Sequence, residues 1–120
     1  RVALEAVRAG VDCINDITAF RGDSEMAGVV SKLGCAVILM YSKDASVRTT
    51  QKEVIYDDVI GILRNFFQER IECAEANRIP RNSILLDPGM GHFVSSSAKF
   101  SFIYTLVIQY VFEDIIWLEL

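Results

Sequence analysis

Two short runs put polar side chains where an apolar strand comes to its end: Ile14-Asn15-Asp16-Ile17 and Leu85-Leu86-Asp87-Pro88-Gly89-Met90-Gly91. In the second, the Asp87 carboxylate closes the strand and Pro88 fixes the next φ, while Gly89 and Gly91 let a ligand lie flat against main chain. A carboxylate in an apolar strand is costly unless it is hydrogen-bonded. A ligand offering an N–H and an amino group side by side would satisfy both of its oxygens. The Asn15 amide, donor and acceptor together, suits the neighbouring edge of the same ring. Capping and turning of the following loop is the other reading of Asn15 and Asp16, and the pattern alone leaves both open.

Other chemical groupings carry less. His92 is the only histidine, and no Cys or Ser stands at a motif spacing from it. Asp57 and Asp58 are adjacent, so on a helix they point apart and suit N-terminal charge better than a shared proton. Ser95-Ser96-Ser97 lacks the Gly-Lys of a phosphate loop and reads as a helix cap.

The elements that must position these residues alternate between strand and helix. A helix over about Arg1 to Ala9 stops at Gly10, a strand follows over Val11 to Ile17, and Thr18 to Asp23 form a loop. Ser24 is the expected N-cap of a second helix, whose stripe Met26, Val29, Val30 and Leu33 ends at Gly34. Cys35 to Met40 is an apolar strand of the kind buried on both faces. Ser42 to Lys52 has no apolar period and reads as a long strand-to-helix loop, the part of a barrel that carries function.

The longest helix is expected over about Asp57 to Asn77, with Val59, Ile60, Leu63, Phe66, Phe67, Arg70 and Ala74 on its core face and margin. Ile79-Pro80 forbids its continuation. Ile84 to Asp87 is the next strand, Ser95 to Phe112 a further helix, and Ile115 to Leu120 the start of another strand. The order βαβαβαβ defines an α/β chain with a parallel sheet. No G-x-G-x-x-G follows any strand, so the expected architecture is a partial TIM (β/α)8 barrel, with ligands at the C-terminal strand ends.

At 120 residues the chain is well short of the ~250 of a typical complete barrel. Its amphipathic beginning and strand-like end are expected to lie inside a longer protein, with residues 1–120 forming one partial barrel domain truncated at both ends. Sixteen acidic against twelve basic residues, with no basic cluster, disfavour nucleic acid. Gln109, Glu113, Asp114 and Glu119 interrupt the apolar tail from Phe100 to Leu120, which disfavours a membrane span. Cys13, Cys35 and Cys73 show no metal spacing and read as buried, reduced thiols of a cytoplasmic protein.

Five stretches carry a family resemblance: A-G-V-D-C-I-N-D-I from Ala9 to Ile17, V-I-L-M-Y from Val37 to Tyr41, R-T-T-Q from Arg48 to Gln51, Y-D-D-V from Tyr56 to Val59, and I-L-L-D-P-G-M-G from Ile84 to Gly91. In that order they resemble dihydropteroate synthase, within the wider pterin-binding barrel group that includes methyltetrahydrofolate methyltransferases. The resemblance spans nearly the whole chain and places it in the middle of the barrel. It implies a transferase of folate biosynthesis that joins p-aminobenzoate to a hydroxymethyl-dihydropterin diphosphate and releases pyrophosphate with the help of Mg2+.

By the same resemblance, Asn15 and Asp87 hydrogen-bond the pyrimidine edge of the pterin from the mouths of neighbouring strands. Ile17 and Met40 are apolar walls, and Gly89 belongs to the loop against which the pterin lies. Asp87 orients the substrate and is not a proton-transfer group. No catalytic residue and no metal ligand is placed in this chain; the magnesium ligand falls outside it.

The sequence departs from the family at Tyr41, where a histidine is usual, and at His92-Phe93-Val94, where F-G-K is typical. The family's remaining acids and its S-R-K and R-x-H cations also fall outside the chain, so the departing diphosphate has no charge stabilisation from these 120 residues. Alone they are expected not to turn over. Two other readings stand beside this one. A methyltransferase would bind methyltetrahydrofolate without releasing pyrophosphate, and a non-catalytic open barrel would self-associate through its bare strand edges as a homo-oligomer.

Overall fold

The computed structural model describes residues 1–43 and 59–89, with side chains from residue 61 onward in the second span. Several readings therefore lie outside the described residues: the R-T-T-Q and Asp57-Asp58 segments, Gly91, His92, Ser95 to Ser97, and the helix and strand expected after them.

Helix α1 (Val2–Arg8) leads into β1 (Cys13–Asp16), α2 (Met26–Leu33), β2 (Ala36–Met40), α3 (Val59–Ala76), a short 3-10 turn (Arg81–Ser83) and β3 (Ile84–Asp87). The three strands form one sheet in the order β1-β2-β3, and both pairings are parallel. This is the alternating α/β pattern the sequence implies, open rather than closed among the described residues.

The chain punctuates its helices with left-handed residues. Gly10 takes φ 100° after α1, its N–H donating to the Val7 carbonyl at 2.9 Å and that of Val11 to Ala6 at 3.1 Å. The end of α3 repeats the motif with Arg78 at φ 65°, donating to Glu75 at 2.8 Å while Ile79 donates to Ala74 at 3.0 Å. Ile79 and Ala74 are both buried there, so an apolar contact locks the turn before Pro80.

Helix α2 starts later than its sequence suggests. Ser24 is not the cap. Asp23 sets the turn instead, its Oδ1 accepting the Glu25 N–H at 2.9 Å and its carbonyl accepting the Met26 N–H at 3.1 Å. Strand β1 is likewise shorter than Val11 to Ile17, because the Asp16 carboxylate draws the chain into a turn at Ile17.

Burial alternates along β1, β3 and β2 as far as Leu39, so the sheet has two distinct faces. Ile14, Asp16, Val37, Leu39, Ile84 and Leu86 point to the buried side, in one core with Ala27 and Val30 of α2 and Leu63, Phe67, Ile71 and Ala74 of α3. The α3 stripe recurs at helical spacing, and losing the Leu63 side chain to alanine would cost about 2–5 kcal/mol. Ile71, absent from the stripe expected from sequence, is 1% exposed, whereas Phe66 and Arg70 sit at its half-buried margin. The opposite face carries Cys13, Asn15, Ala36, Ile38, Met40, Leu85 and Asp87. In a closed barrel that second face lines the interior.

Candidate functional site at the C-terminal strand ends

Asn15, Met40 and Asp87 share the second face and the C-terminal half of their strands. Met40 is the register partner of Asp87, and Asn15 pairs with Ile38, two residues short of Met40. Asn15 and Asp87 are therefore not on neighbouring strands, as the sequence reading had it: β2 runs between them. Two interstrand steps and a two-residue stagger along the strands put their backbones about 12 Å apart. No hydrogen bond joins the two side chains.

Their surroundings differ. Asn15 is exposed, and its amide makes no hydrogen bond among the described residues. Asp87 is half-buried, and its Oδ1 accepts the N–H of Gly89 at 2.8 Å. Gly89 takes φ 68°, a left-handed conformation that a residue with a Cβ adopts only with strain, so the glycine lets the loop fold back on the carboxylate. That bond restrains the Asp87 carboxylate, and Oδ2 accepts no hydrogen bond among the described residues.

Between the two polar groups lies an apolar floor. Met40 is 3% exposed, and Ile38, level with Asn15 and Leu85, is half-buried. Ile38 was not singled out from the sequence, although its place two residues before Met40 in a strand signals the same face. Ile17 follows β1 immediately, half-buried at the first turn position.

The rim is held by Asp16, which is 6% exposed beneath the loop. Its Oδ1 accepts the Thr18 N–H at 2.9 Å and the Thr18 hydroxyl at 2.7 Å, and its Oδ2 accepts the Phe20 N–H at 2.8 Å. These bonds hold Ala19 at φ 48° and Phe20 at φ 66°, two consecutive non-glycine residues in left-handed backbone. Of the pair Asn15 and Asp16, then, the acid turns the loop and the amide does not.

Tyr41 is 7% exposed and belongs to the buried core, its ring edge-on to Phe66 at 5.0 Å. Its ring thus packs among core side chains on the face away from Met40. None of the three cysteines is in a disulfide. Burial pushes the Cys13 thiol above its ordinary pKa, and the nearby Cys35 adds to the effect, so Cys13 is a poor nucleophile. Among the described residues no helix is long and apolar enough to cross a membrane.

The parallel strands, covering helices and C-terminal site define a segment of a TIM-type α/β barrel. The match to known proteins fixes the family. Residues 1–107 fit the family described as pterin binding enzyme, and the chain belongs to it. A solved dihydropteroate synthetase with a bound product superposes with a TM-score of 0.80 at 28% identity, covering 97% of this chain and 41% of that one. The Xanthomonas albilineans dihydropteroate synthase with 4-aminobenzoic acid gives 0.70 at 33% identity, covering 90% of this chain and 37% of that one. A Haloferax volcanii protein named as a bifunctional folylpolyglutamate synthase/dihydropteroate synthase is 37% identical over 99 residues, which is 82% of this chain and 12% of the relative. The chain spans about a third or less of the length of the curated relatives it matches.

Proposed function

We propose that this chain supplies the pterin-holding part of a dihydropteroate synthase. One observation carries the reading: an amide and a carboxylate flank the apolar strand end of Ile38 and Met40 on one face of the sheet, at the rim where parallel barrels bind ligands. Asp87 accepts from the ring N–H and the exocyclic amino group of the pterin, and Asn15 reads the adjoining edge. Met40, Ile38 and Ile17 form the apolar surroundings, and the backbone at Gly89 approaches the ring. Held so, the pterin presents its methylene carbon to the amine of p-aminobenzoate. The carbon–nitrogen bond forms as the carbon–oxygen bond to diphosphate breaks; pyrophosphate leaves, and the amine releases one proton to solvent.

These residues bind and orient; charge stabilisation of the leaving group would come from elsewhere in a longer protein. Among the described residues no group of three His, Cys, Asp or Glu is placed to hold a metal ion, and no step runs through one here. Within the same proposal, residues 1–120 are part of one barrel domain working in the reducing cytoplasm, where free cysteines persist. The isolated chain would self-associate through the outer edge of β1, which has no partner strand among the described residues.

The deciding experiment follows pyrophosphate release by the full-length protein from a dihydropterin diphosphate, with and without p-aminobenzoate. Release that depends on p-aminobenzoate is expected. Binding of methyltetrahydrofolate with no such release would assign methyl-transfer chemistry instead, and absence of any pterin binding would leave a non-catalytic barrel.

A further inference from the structure

Arg21 ties together the parts of the rim that carry the two candidate ligand-binding groups. It lies in the loop after β1, and its Nε donates to the Thr18 carbonyl of that loop at 3.1 Å. Its Nη2 crosses to the chain just beyond β2, donating to the Ser42 carbonyl at 2.8 Å and to the Ser42 hydroxyl at 2.6 Å. The guanidinium lies 4.8 Å from the ring centre of Phe66, on α3. One planar cation is thereby fixed by a β1 loop carbonyl, a β2 terminus and an aromatic face.

The path continues to the carboxylate. Ser42 follows Tyr41, whose N–H donates to the Asp87 carbonyl at 2.7 Å, and the Tyr41 ring meets the same Phe66 at 5.0 Å. On the other side, Thr18 is held by Asp16, the residue next to Asn15. A continuous run of hydrogen bonds and covalent links therefore joins Asn15 to Asp87 through Arg21, across a gap that the two side chains do not bridge themselves. Side chains that must meet one rigid ring lose affinity when their relative orientation drifts.

We infer that Arg21 is a positioning residue for this site: the ladder through β2 spaces the strands, and by clamping the loop after β1 to the chain just beyond β2 Arg21 holds the rim above them, and with it the relative orientation of the Asn15 amide and the Asp87 carboxylate and the affinity for a flat two-edged ligand. This rests on the pterin reading given above. Arg21 itself need not touch the ligand.

The test is a fluorescence titration of the full-length protein with hydroxymethylpterin. Arg21→Met, Arg21→Lys and Phe66→Leu are compared with Asn15→Ala, Asp87→Asn and their double variant, each also made in the Arg21→Met background. Arg21→Met is expected to weaken binding about tenfold. Lysine is expected not to restore it, because a single ammonium does not span both loops and the ring. In the otherwise native protein the effects of Asn15→Ala and Asp87→Asn should be non-additive, and in the Arg21→Met background that coupling should vanish.

Near-native affinity in Arg21→Met, with Asp87→Asn still weakened, would overturn the role of Arg21 and leave the pterin site standing. An equal loss in all backgrounds, with the coupling intact, would mark Arg21 as merely structural and also overturn it. No pterin binding by the unaltered protein would instead remove the pterin reading and this inference together. Should Arg21→Met fail to fold, Phe66→Leu and Arg21→Lys carry the same comparison, since each loosens the clamp without emptying it.

Discussion

Asn15 and Asp16 are consecutive in β1 and face opposite sides of the sheet, so the amide stands exposed on the candidate site while the carboxylate is buried under the loop that follows. Their replacements should therefore separate cleanly. Asp16→Ala leaves the N–H groups of Thr18 and Phe20 without their acceptor and is expected to cost about 2–4 kcal/mol of stability. Asn15→Ala should change stability by less than ~0.5 kcal/mol while weakening pterin binding. Urea unfolding beside ligand titration reads both, and a large stability loss in Asn15→Ala would place that residue in the framework instead.

For Asp87 the expected effect is on affinity. Asp87→Ala removes the carboxylate that accepts from the pterin, a loss of at least about 1.5–3 kcal/mol, or roughly a 10- to 150-fold or greater rise in the dissociation constant for the pterin. Unchanged affinity in that variant would take Asp87 out of the site.

Two glycines should respond with opposite sign. A Cβ at Gly22 would come within 2.9 Å of both Cγ2 and Oγ1 of Thr18, whose hydroxyl is already committed to Asp16, so Gly22→Ala is expected to destabilise by about 1–3 kcal/mol. At Gly28, inside α2, a Cβ meets nothing within 4 Å, and Gly28→Ala should stabilise by about 0.5–1 kcal/mol. Thermal midpoints that move together would contradict this.

The Cys13 thiol should resist alkylation near neutral pH, because burial and then Cys35 raise its pKa above the ordinary thiol range. The sign for stability follows from linkage. With the folded value raised, the native state holds the proton longer, so the contribution is whole below the unfolded thiol's pKa and is lost as pH rises through the raised one. Urea midpoints from pH 7 to 10 should fall more steeply in the native protein than in Cys13→Ala, and parallel profiles would refute the effect.

Much of this arrangement is legible in the residues. Ile84 to Asp87 forms a strand with the boundaries its composition suggests, because Pro88 and Gly89 end it chemically. The face shared by Asn15, Met40 and Asp87 follows from period-two alternation within each strand. Less legible is which strands touch: only the register shows that β2 separates the amide from the acid and that Ile38 lies between them. Local spacing carries no record of pairing partners.

The start of α2 misleads for a different reason. Ser24 and Asp23 are both good capping types, and the choice falls to the residue whose carboxylate reaches the next free N–H. Arg21 is hidden more deeply. In sequence it is one charge in a polar loop, and its partners Ser42 and Phe66 are 21 and 45 positions away.

Because all three strands run the same way, the molecule has a front and a back. The turns that introduce the strands, around Gly10, Gly34 and Arg81, lie at the end remote from Asp87. Strands of four and five residues set those ends roughly 13–16 Å apart. An affinity handle or dye attached through the exposed Arg81 position would orient the protein on a surface with its Asp87 end open to solution.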